Sequence, residues 1–342
     1  MPDKYLITGG AGFIGSNYAR RLIKRGEHVS IFDNLSRKGA GANLEWIEAE
    51  TEKGSFEFTK GDIRDQEAVD RVTQSKDVII HLAAQVAVTS SVYDPRTDFD
   101  INAMGTFNLL EGARKSARQP IVIYASTNKV YGGLEDLEIV EKDSRYELKN
   151  FPQGINELRR LDFHSPYGCS KGTGDQYTHD YYRMYEIPSI VFRQSCIFGT
   201  RQFGIEDQGW VAWFVIAAQC GIPLIIYGDG KQVRDLLFVE DLLDAYDLAI
   251  NKIDTAKGEI YNIGGGAEKS ISIWTEFSSI LEKSLNKKLM YSFNDWRPGD
   301  QKVYISDTWK IQNQLGWNPV VSIQEGVSVL AEWVSENPEL FA

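Results

Sequence analysis

The sequence predicts an α/β fold in which a doubly wound parallel sheet is joined to a smaller C-terminal α/β lobe. In the first half of the chain, short apolar runs rich in Val and Ile alternate with longer amphipathic stretches. The first run leads into a glycine-rich turn, as in Rossmann-type sheets. This βα alternation is typical of a parallel sheet covered by helices on both faces.

Six apolar runs predict the strands of the main sheet, at residues 5–8, 29–32, 56–59, 78–82, 121–125 and 189–192. Helical periodicity predicts the helices between them, at residues 13–25, 66–74, 99–117 and 167–185. The polar segment 133–156 has no clear periodicity, so we expect a surface excursion there.

The pattern changes after Arg193, where glycine and aromatic residues appear. The second half predicts short mixed elements, with strands at 222–227 and 259–263 and helices at 239–250, 272–284 and 323–335. We therefore expect a smaller α/β lobe with one segment, near 235–263, that returns to the main sheet.

Composition excludes several classes of protein. The 342 residues carry a net charge of −11, which argues against general binding to nucleic acid or anionic membranes, although a local anion site stays open. The three cysteines lack CxxC spacing and the four histidines form no close pair, so we expect reduced thiols and no metal. With no signal-peptide pattern or apolar run of membrane length, we expect a cytoplasmic protein.

The turn after the first predicted strand has the glycine spacing of a dinucleotide site. Gly10-x-Gly12-x-x-Gly15 fits the usual fingerprint, and Gly9-x-x-Gly12-x-x-Gly15 fits its shifted form. Such a turn brings backbone close to a pyrophosphate and points a helix N-terminus at it. Because the turn follows a strand and opens a helix, we favour this interpretation over a merely flexible turn.

Asp33 follows the second strand, where a carboxylate accepts the ribose hydroxyls of NAD and repels the 2′-phosphate of NADP. Arg37 and Lys38 lie nearby and leave NADP open. The small residues in the segment 81–85, at the end of the fourth strand, would let a cofactor lie close to the backbone, but they fit ordinary packing at a strand end nearly as well. The predicted dinucleotide contacts, besides Tyr167 and Lys171, are Gly9, Gly12, Phe13, Ile14, Gly15, Asp33, Asn34, Ser36, Arg37, Asp62, Ile63, Leu82, Ala83, Ala84, Gln85 and Asn102.

A candidate catalytic set follows the fifth strand. Tyr167 and Lys171 are four residues apart, so both side chains lie on one face of the predicted helix. An ammonium near a phenol lowers the pKa of the phenol, which makes a base for an alcohol proton. The strand before it ends in Ser126 and Thr127, whose hydroxyls can meet a substrate alcohol. Tyr227-x-x-x-Lys231 has the same spacing but lies in a glycine-rich turn, so we regard it as a coincidence.

These motifs together carry a family resemblance. The chain resembles the extended short-chain dehydrogenase/reductases over essentially its full length, through GGAGFIG, Asp33, HLAA, STNKVYG, SPYGCSK, VRDLLFVEDL and RPGD. Within them it is most similar to the nucleotide-sugar epimerases, through DNLSRKGA, FHSPYGCSKG, RQFGIEDQGW and GDGKQVRD.

The resemblance implies a reaction, a role for each of three residues and a division of the chain into two domains. Thr127 contacts the substrate hydroxyl, Tyr167 is the base, and Lys171 tunes Tyr167 and holds the nicotinamide ribose. NAD stays bound while a CDP-linked hexose, of the CDP-paratose to CDP-tyvelose type, is oxidised to a keto-sugar and reduced again on its other face. Residues 1–193, with the return segment, form the dinucleotide-binding domain, and 194–234 with 264–342 form the nucleotide-sugar lobe.

Alternative reactions stay open. Only the resemblance points to C-2, so a UDP-sugar 4-epimerase is the main alternative. A 4,6-dehydratase has less support, because its relatives carry an Asp-Glu acid/base pair where this chain has Asn128 and Lys129. A non-catalytic dinucleotide sensor is disfavoured by the presence of both Tyr167 and Lys171.

Cations and aromatic rings of the second half are candidates for binding the sugar nucleotide. Arg234 and Arg297, with Arg201 as a third candidate, suit a diphosphate, although each also fits a surface ion pair. Asp300 could bind the ribose hydroxyls, and Tyr227 or Trp210 could pack on the base, although these rings equally fit a hydrophobic core. Besides Thr127, the predicted substrate contacts are Gln194, Arg201, Gln208, Trp210, Tyr227, Arg234, Arg297 and Asp300. Segment 193–199 lacks the asparagine that many relatives use for the diphosphate.

The resemblance also implies self-association. Helices 99–117 and 167–185 would pack with their copies as a four-helix bundle, in a homodimer or a homotetramer. The sequence itself does not choose between the two.

Overall fold

The computed structural model describes residues 3–297 and 300–341, which divide into two compact units. Unit 1 comprises the chain up to Val130, Ser165–Arg193 and Ala245–Tyr261. Unit 2 comprises Tyr131–His164, Gln194–Asp244 and the chain from Asn262 onward.

This division differs from the sequence-based one in two segments. Residues 131–164 group with unit 2, where the amide of Ile155 donates to the carbonyl of Ile305 (2.8 Å). The segment that returns to unit 1 is 245–261, shorter than the 235–263 of the sequence-based division. Local sequence patterns do not report such long-range contacts.

The strands of both units are numbered in chain order. They are β1 (Lys4–Thr8), β2 (His28–Asp33), β3 (Phe56–Lys60), β4 (Val78–His81), β5 (Ile121–Thr127), β6 (Ile139–Glu141), β7 (Tyr146–Leu148), β8 (Ser189–Gln194), β9 (Cys196–Phe198), β10 (Leu224–Tyr227), β11 (Val233–Phe238), β12 (Ile260–Ile263), β13 (Ser270–Ser272), β14 (Tyr291–Asn294) and β15 (Val303–Tyr304).

The main sheet has the order β12-β8-β5-β4-β1-β2-β3 among the described residues. The pairs β3–β2, β2–β1, β1–β4 and β4–β5 are all parallel. The strand order reverses between β1 and β4, and ligands of such sheets bind at the carboxyl ends of the strands at this reversal. The predicted α/β fold with a doubly wound parallel sheet is therefore confirmed.

The helices are numbered in the same way. They are α1 (Phe13–Lys24), α2 (Ala40–Glu50), α3 (Gln66–Thr73), α4 (Val88–Tyr93), α5 (Pro95–Phe99), α6 (Gly105–Lys115), α7 (Ser165–Tyr185), α8 (Trp210–Gln219), α9 (Val239–Asn251), α10 (Ile253–Ala256), α11 (Phe277–Leu285), α12 (Trp309–Leu315) and α13 (Ile323–Glu336).

The observed helices differ from the predicted ones in several places. The helix expected over 99–117 begins earlier, with α5, and contains a wider π-turn over Asp100–Met104 between α5 and α6. The helices α2, α4, α8, α10 and α12 were not predicted. In α8, Val211, Ala212 and residues 214–218 are all buried, so the helix is apolar on nearly every side. Its sequence therefore lacks the alternation of apolar and polar positions that predicts an amphipathic helix.

The core of unit 1 lies under the main sheet. It is formed by β-strand residues such as Leu6, Ile79 and Val122, which are fully buried, against Leu109 and Leu110 of α6. In unit 2 the central strand β11 is buried along its whole length and pairs with β9, β13 and β15. Within residues 3–297 and 300–341, no helix has the length and apolarity needed to cross a bilayer.

Candidate functional site

The turn between β1 and α1 brings main chain unusually close to main chain. Gly9 has φ +69°, and a Cβ on it would lie 2.7 Å from the amide nitrogen of Ala83, just past β4. A Cβ on Gly15 would lie 2.4 Å from the carbonyl oxygen of Gly9. Only glycine fits either position, so the turn offers bare backbone at the carboxyl edge of the sheet.

The first turn of α1 is open to an anion. Gly12 is its N-cap and has no side chain, so no side-chain group caps the first amides of the helix. Free amides at a helix N-terminus, together with the helix dipole, favour a phosphate. The cradle formed by Gly9, Gly12 and Gly15 therefore fits the pyrophosphate of a dinucleotide.

The carboxylate of Asp33 is fixed at the end of β2. One oxygen accepts from the amide of Ala11 (3.0 Å) and the other from the amide of Leu35 (2.8 Å). Burial raises the pKa of Asp33, and these two hydrogen bonds oppose that rise. Arg37 is exposed on the surface, and partial desolvation lowers its pKa. Each carboxylate oxygen keeps a second lone pair, which suits a ribose diol.

Three of the predicted contacts after β2 and β3, namely Asn34, Ser36 and Asp62, belong to one hydrogen-bonded group. Oδ1 of Asn34 accepts a hydrogen bond from the amide of Ser36 (3.0 Å), and its Nδ2 donates to Oδ2 of Asp62 (3.1 Å). Both oxygens of Asp62 also accept from Arg64, which holds the pKa of Asp62 well below its usual range. Ile63 is buried in the unit 1 core. The contact of Asp62 and Ile63 with an adenine stays a prediction.

The segment after β4 is held from β1 and from the π-turn before α6. The amide of Leu82 donates to the carbonyl of Thr8 (3.0 Å). The side chain of Asn102 accepts from the amide of Gln85 (2.9 Å) and donates to its carbonyl (3.0 Å). Asn102 thus fixes the backbone at the end of the predicted contact segment, which runs from Leu82 through Ala83 and Ala84 to Gln85.

Thr127, Tyr167 and Lys171 come together at the carboxyl end of β5. Thr127 is its last residue, and the other two lie one turn apart on α7. All three are buried, with 7%, 8% and 4% of their surfaces exposed. Burial raises the pKa of Tyr167 to about 12, against a hydrogen bond to Thr127 that lowers it. The structure therefore brings together the three residues predicted to be catalytic.

Lys171 lies one helical turn after Tyr167 on the same face of α7. Its Nζ donates to the carbonyl of Ala125 (2.6 Å) and lies 4.2 Å from the ring centre of Tyr124. Burial lowers the pKa of Lys171 to about 7, against the charges of Asp175 and Asp98, which raise it. The charge of Lys171, which favours the Tyr167 phenolate, depends on its acidic neighbours.

Sequence reasoning missed a buried polar group behind this pair. Asp98, which is 1% exposed, accepts from Ser170 and from Nδ2 of Asn102 (3.2 Å). Nδ2 of Asn102 also donates to Ser170 (3.1 Å). Asp98 and Asn102 are four residues apart, and Ser170 lies inside the Tyr-x-x-x-Lys motif. This spacing was the available signal, but a carboxylate on a helix usually indicates a solvated face.

A second missed group is His81, the last residue of β4. Nδ1 lies 2.7 Å from Oγ1 of Thr8, and Nε2 lies 3.0 Å from Oγ1 of Thr106. Burial lowers the pKa of His81 to about 3, and the charge of Lys171 adds to that effect. His81 is therefore a neutral residue that connects β1, β4 and α6.

Two predicted arginines of unit 2 already have acidic or aromatic partners there. Arg234 is 7% exposed, and its guanidinium donates to Asp300 (2.7 Å). The guanidinium of Arg297 lies 3.9 Å from the ring centre of Tyr227 and 3.2 Å from Asp207. Arg234 is thus a buried paired cation rather than a solvated one. Pro298 and Gly299 of the RPGD motif lie outside the described residues.

The remaining predicted contacts of unit 2 have contacts of different kinds. The ring centre of Trp210, at the start of α8, lies 4.9 Å from that of Phe277, so Trp210 packs in an aromatic core. Arg201 lies over the ring of Trp333 at 5.6 Å. The backbones of Gln208 and Ile205 exchange two hydrogen bonds, and Gln194 ends β8. The assignment of these residues to a sugar nucleotide stays a prediction.

The second Tyr-x-x-x-Lys match has different surroundings. Tyr227 ends the strand β10, and its hydroxyl donates to Glu206 (2.8 Å). Lys231 follows the turn and is paired with Glu141 (2.8 Å). The two side chains share no helix face, in agreement with the interpretation of this match as a coincidence.

Comparisons with known proteins agree with these features. The family model described as GDP-mannose 4,6 dehydratase matches residues 6–330. The chain is 44% identical over 339 residues to the CDP-paratose 2-epimerase of Salmonella typhi, covering 97% of this chain and 99% of that protein. It is 34% identical to a putative UDP-glucose 4-epimerase of Methanocaldococcus jannaschii, covering 97% and 98%.

A solved structure gives the same picture. The structure of the UDP-glucuronic acid 4-epimerase from Bacillus cereus in complex with UDP-glucuronic acid and NAD superposes with a TM-score of 0.82. That protein is 29% identical in sequence, and the match covers 97% of this chain and 99% of the other.

Proposed function

The chain belongs to the GDP-mannose 4,6-dehydratase family of extended short-chain dehydrogenase/reductases, and we propose that it is an NAD-dependent isomerase that inverts C-2 of a CDP-linked hexose, of the CDP-paratose to CDP-tyvelose type. The observation that carries this proposal is the assembly of Thr127, Tyr167 and Lys171 at the end of β5, with an amide at position 128. The 44% identity to a CDP-paratose 2-epimerase over 97% of the chain supports the choice of substrate.

The residues of unit 1 fit NAD. The amides at the start of α1 would hold the pyrophosphate, and the close approach at Gly9 and Gly15 leaves room for it. Asp33 would accept the adenosine ribose hydroxyls and disfavour a 2′-phosphate. The chemistry that bound NAD supplies is reversible hydride transfer to and from the sugar.

Tyr167 would move the proton. Its phenolate takes the proton of the sugar hydroxyl at the carbon that is oxidised, while Thr127 hydrogen-bonds the same hydroxyl. The Lys171 ammonium stabilises the phenolate and is itself anchored to the carbonyl of Ala125. The keto-sugar then rotates in the pocket and is reduced on its other face. Tyr167 returns the proton to the new hydroxyl, and the configuration of that carbon is inverted.

Water elimination is not supported by the residues next to Thr127. Asn128 is 8% exposed, and its Oδ1 lies 3.4 Å from the Thr127 hydroxyl. An amide has no acidic proton, and the neighbouring Lys129 is a cation, so the two cannot replace a carboxylic acid and a carboxylate. The match to a putative UDP-glucose 4-epimerase keeps 4-epimerisation as the second candidate.

For the substrate, we propose the paired cations of unit 2. Arg234 and Arg297 would bind the diphosphate, since guanidinium groups bind phosphate oxygens bidentately. Asp300, which now accepts from Arg234, would also accept a ribose hydroxyl through its remaining lone pairs. Tyr227 carries Arg297 on one ring face, which places an aromatic surface beside that cation.

The test is NMR of CDP-paratose and CDP-glucose, each incubated with the purified protein and no added NAD. Inversion at C-2 would support both the reaction and a retained cofactor. Inversion at C-4 would favour the second candidate. If neither sugar changes, and added NAD with UDP- and GDP-sugars also gives no product, the proposal is wrong and a dinucleotide sensor becomes the better interpretation.

A further inference from the structure

Helix α7 contacts the end of β5 through three successive turns. Tyr167, Lys171 and Asp175 are spaced four residues apart and therefore lie on one face of the helix. Tyr167 hydrogen-bonds the Thr127 side chain, and Lys171 donates to the carbonyl of Ala125 in β5. Asp175 has no role in the proposed reaction.

Asp175 holds the residue that precedes Thr127. Its Oδ2 accepts from the Ser126 hydroxyl at 2.6 Å. Arg193, on the neighbouring strand β8, donates through Nε to Oδ2 and through a terminal nitrogen to Oδ1, both at 2.9 Å. The side chains of Asp175 and Arg193 are 0% and 3% exposed. Such a bidentate buried pair has little freedom to move.

We propose that Asp175, fixed by Arg193, is a positioning residue that holds the end of β5 against α7 and keeps Lys171 charged. The role in turnover rests on the proposed reaction, but the effect on Lys171 does not. Two hydrogen bonds flank the catalytic contact, one from Lys171 to Ala125 and one from Ser126 to Asp175. Loss of the second would let Thr127 move relative to Tyr167.

Titratable groups on four elements lie near Lys171. From α7 the neighbours are Tyr167 and Asp175, from α5 Asp98, from β4 His81 and from β5 Tyr124. His81 is neutral, and burial raises the pKa of both tyrosines, so these three carry no charge near pH 7. The charges that favour the ammonium are thus Asp175 first and Asp98 second.

The first variant is Asp175→Asn, which keeps the shape and removes the charge. Lys171 then loses its proton at lower pH, so the alkaline limb of the kcat profile moves to lower pH. We expect kcat at pH 8 to fall by about tenfold or more, with KM for the sugar nucleotide changed less, because the substrate is not touched. Asp175→Glu keeps the charge and should restore the alkaline limb.

The second variant, Ser126→Ala, keeps both members of the ion pair and removes only the contact to β5. It should lower kcat without moving the alkaline limb. It also keeps the proposal testable if Asp175→Asn fails to fold, since a buried Arg193 without a partner is strongly destabilising.

A titration that needs no turnover separates this proposal from the reaction. In protein labelled with ¹³C at lysine Cε, the Lys171 signal is assigned through Lys171→Arg and followed against pH. The wild-type midpoint should lie above that of Asp175→Asn and close to that of Asp175→Glu. If the midpoint shifts while no sugar is converted, the proposed reaction fails and the role of Asp175 stands.

The matched control is Asp247→Asn. Asp247 also accepts from a tyrosine and an arginine of unit 1, Tyr18 (2.9 Å) and Arg21 (3.0 Å), and both of these partners lie on α1. It should lower the melting temperature and leave the Lys171 midpoint and the pH profile unchanged. An equal Lys171 midpoint in wild type and Asp175→Asn, or an equal shift in Asp247→Asn, would overturn the proposal.

Discussion

At the scale of single residues, the site rests on two buried groups whose pKa values are moved apart by burial. Burial raises the pKa of Tyr167 to about 12 and lowers that of Lys171 to about 7. In each case the same physical cause disfavours the charged form. A bound cationic nicotinamide would lower the pKa of Tyr167, which favours the phenolate that the proposed reaction needs.

The role of Tyr167 gives a direct prediction. Tyr167→Phe removes only the hydroxyl, so the fold and dinucleotide binding should persist while kcat falls by about a hundredfold or more. The measurement is sugar inversion by NMR beside dinucleotide binding by fluorescence. Tyr177→Phe, on the exposed part of the same helix, is the control and should behave as wild type. Normal turnover of Tyr167→Phe would contradict the assignment.

His81 predicts a pH dependence of stability. Its pKa is about 6.5 in the unfolded chain and about 3 in the fold, so the unfolded chain binds the proton first. Its contribution is therefore full above pH 6.5 and is lost as the pH falls toward 3, by at most about 1.4 kcal/mol per pH unit.

The check is chemical denaturation of wild type and His81→Gln between pH 8 and pH 4. His81→Gln should be less stable at pH 8, because its hydrogen bonds to Thr8 and Thr106 are disturbed. The gap between the two proteins should narrow steadily below pH 6.5. A gap that stays constant would mean that His81 does not remain neutral in the fold.

At the scale of elements, the turn between β1 and α1 is determined by close backbone approach. Gly15→Ala places a Cβ 2.4 Å from the Gly9 carbonyl oxygen and 2.7 Å from Cα of Gly10. Since backbone cannot yield easily, we expect a lower melting temperature and dinucleotide affinity reduced by about tenfold or more.

Gly41→Ala is the matched control for this turn. Gly41 lies in α2, and a Cβ there would meet no atom within 4 Å. Alanine favours a helix over glycine by up to about 1 kcal/mol, so this variant should be as stable as wild type or more so. Calorimetry and dinucleotide titration of both variants decide the matter. Equal affinity of Gly15→Ala and wild type would contradict the proposed cradle.

Elements with a strong repeat were predicted well, and those without one were not. The strands β1 to β5 and β8 agree with the apolar runs to within a few residues. Helix α8 was missed because it is buried on nearly every side. The π-turn over Asp100–Met104 was missed because a wider turn leaves no mark on the hydrophobic period.

At the scale of the whole molecule, the predicted self-association can be measured. Helices α6 and α7, with the turn before α6, expose large apolar side chains, among them Met104 (43%), Tyr177 (46%) and Met184 (66%). We propose that a second copy covers them, as the four-helix-bundle prediction implies. Light scattering should give the mass of a dimer or a tetramer, and Tyr177→Glu with Met184→Glu should give a monomer.

The control for this prediction lies in unit 2. Trp309 is 67% exposed, and Trp309→Glu should leave the mass unchanged. A monomeric wild-type protein, or a mass unchanged by the two helix substitutions, would show that the exposed face of α7 is not the contact between copies.

The amino-acid sequence was enough to predict the doubly wound sheet, the glycine turn and the set of Thr127, Tyr167 and Lys171, because these features depend on short repeats and fixed spacings. Three-dimensional contacts were needed to assign the chain segments to each unit. They also showed that Arg234 is paired with Asp300, and that Asp98, His81 and Asp175 lie behind Tyr167 and Lys171. These contacts join residues distant in sequence, and a local pattern does not distinguish a buried, hydrogen-bonded carboxylate from a solvated one.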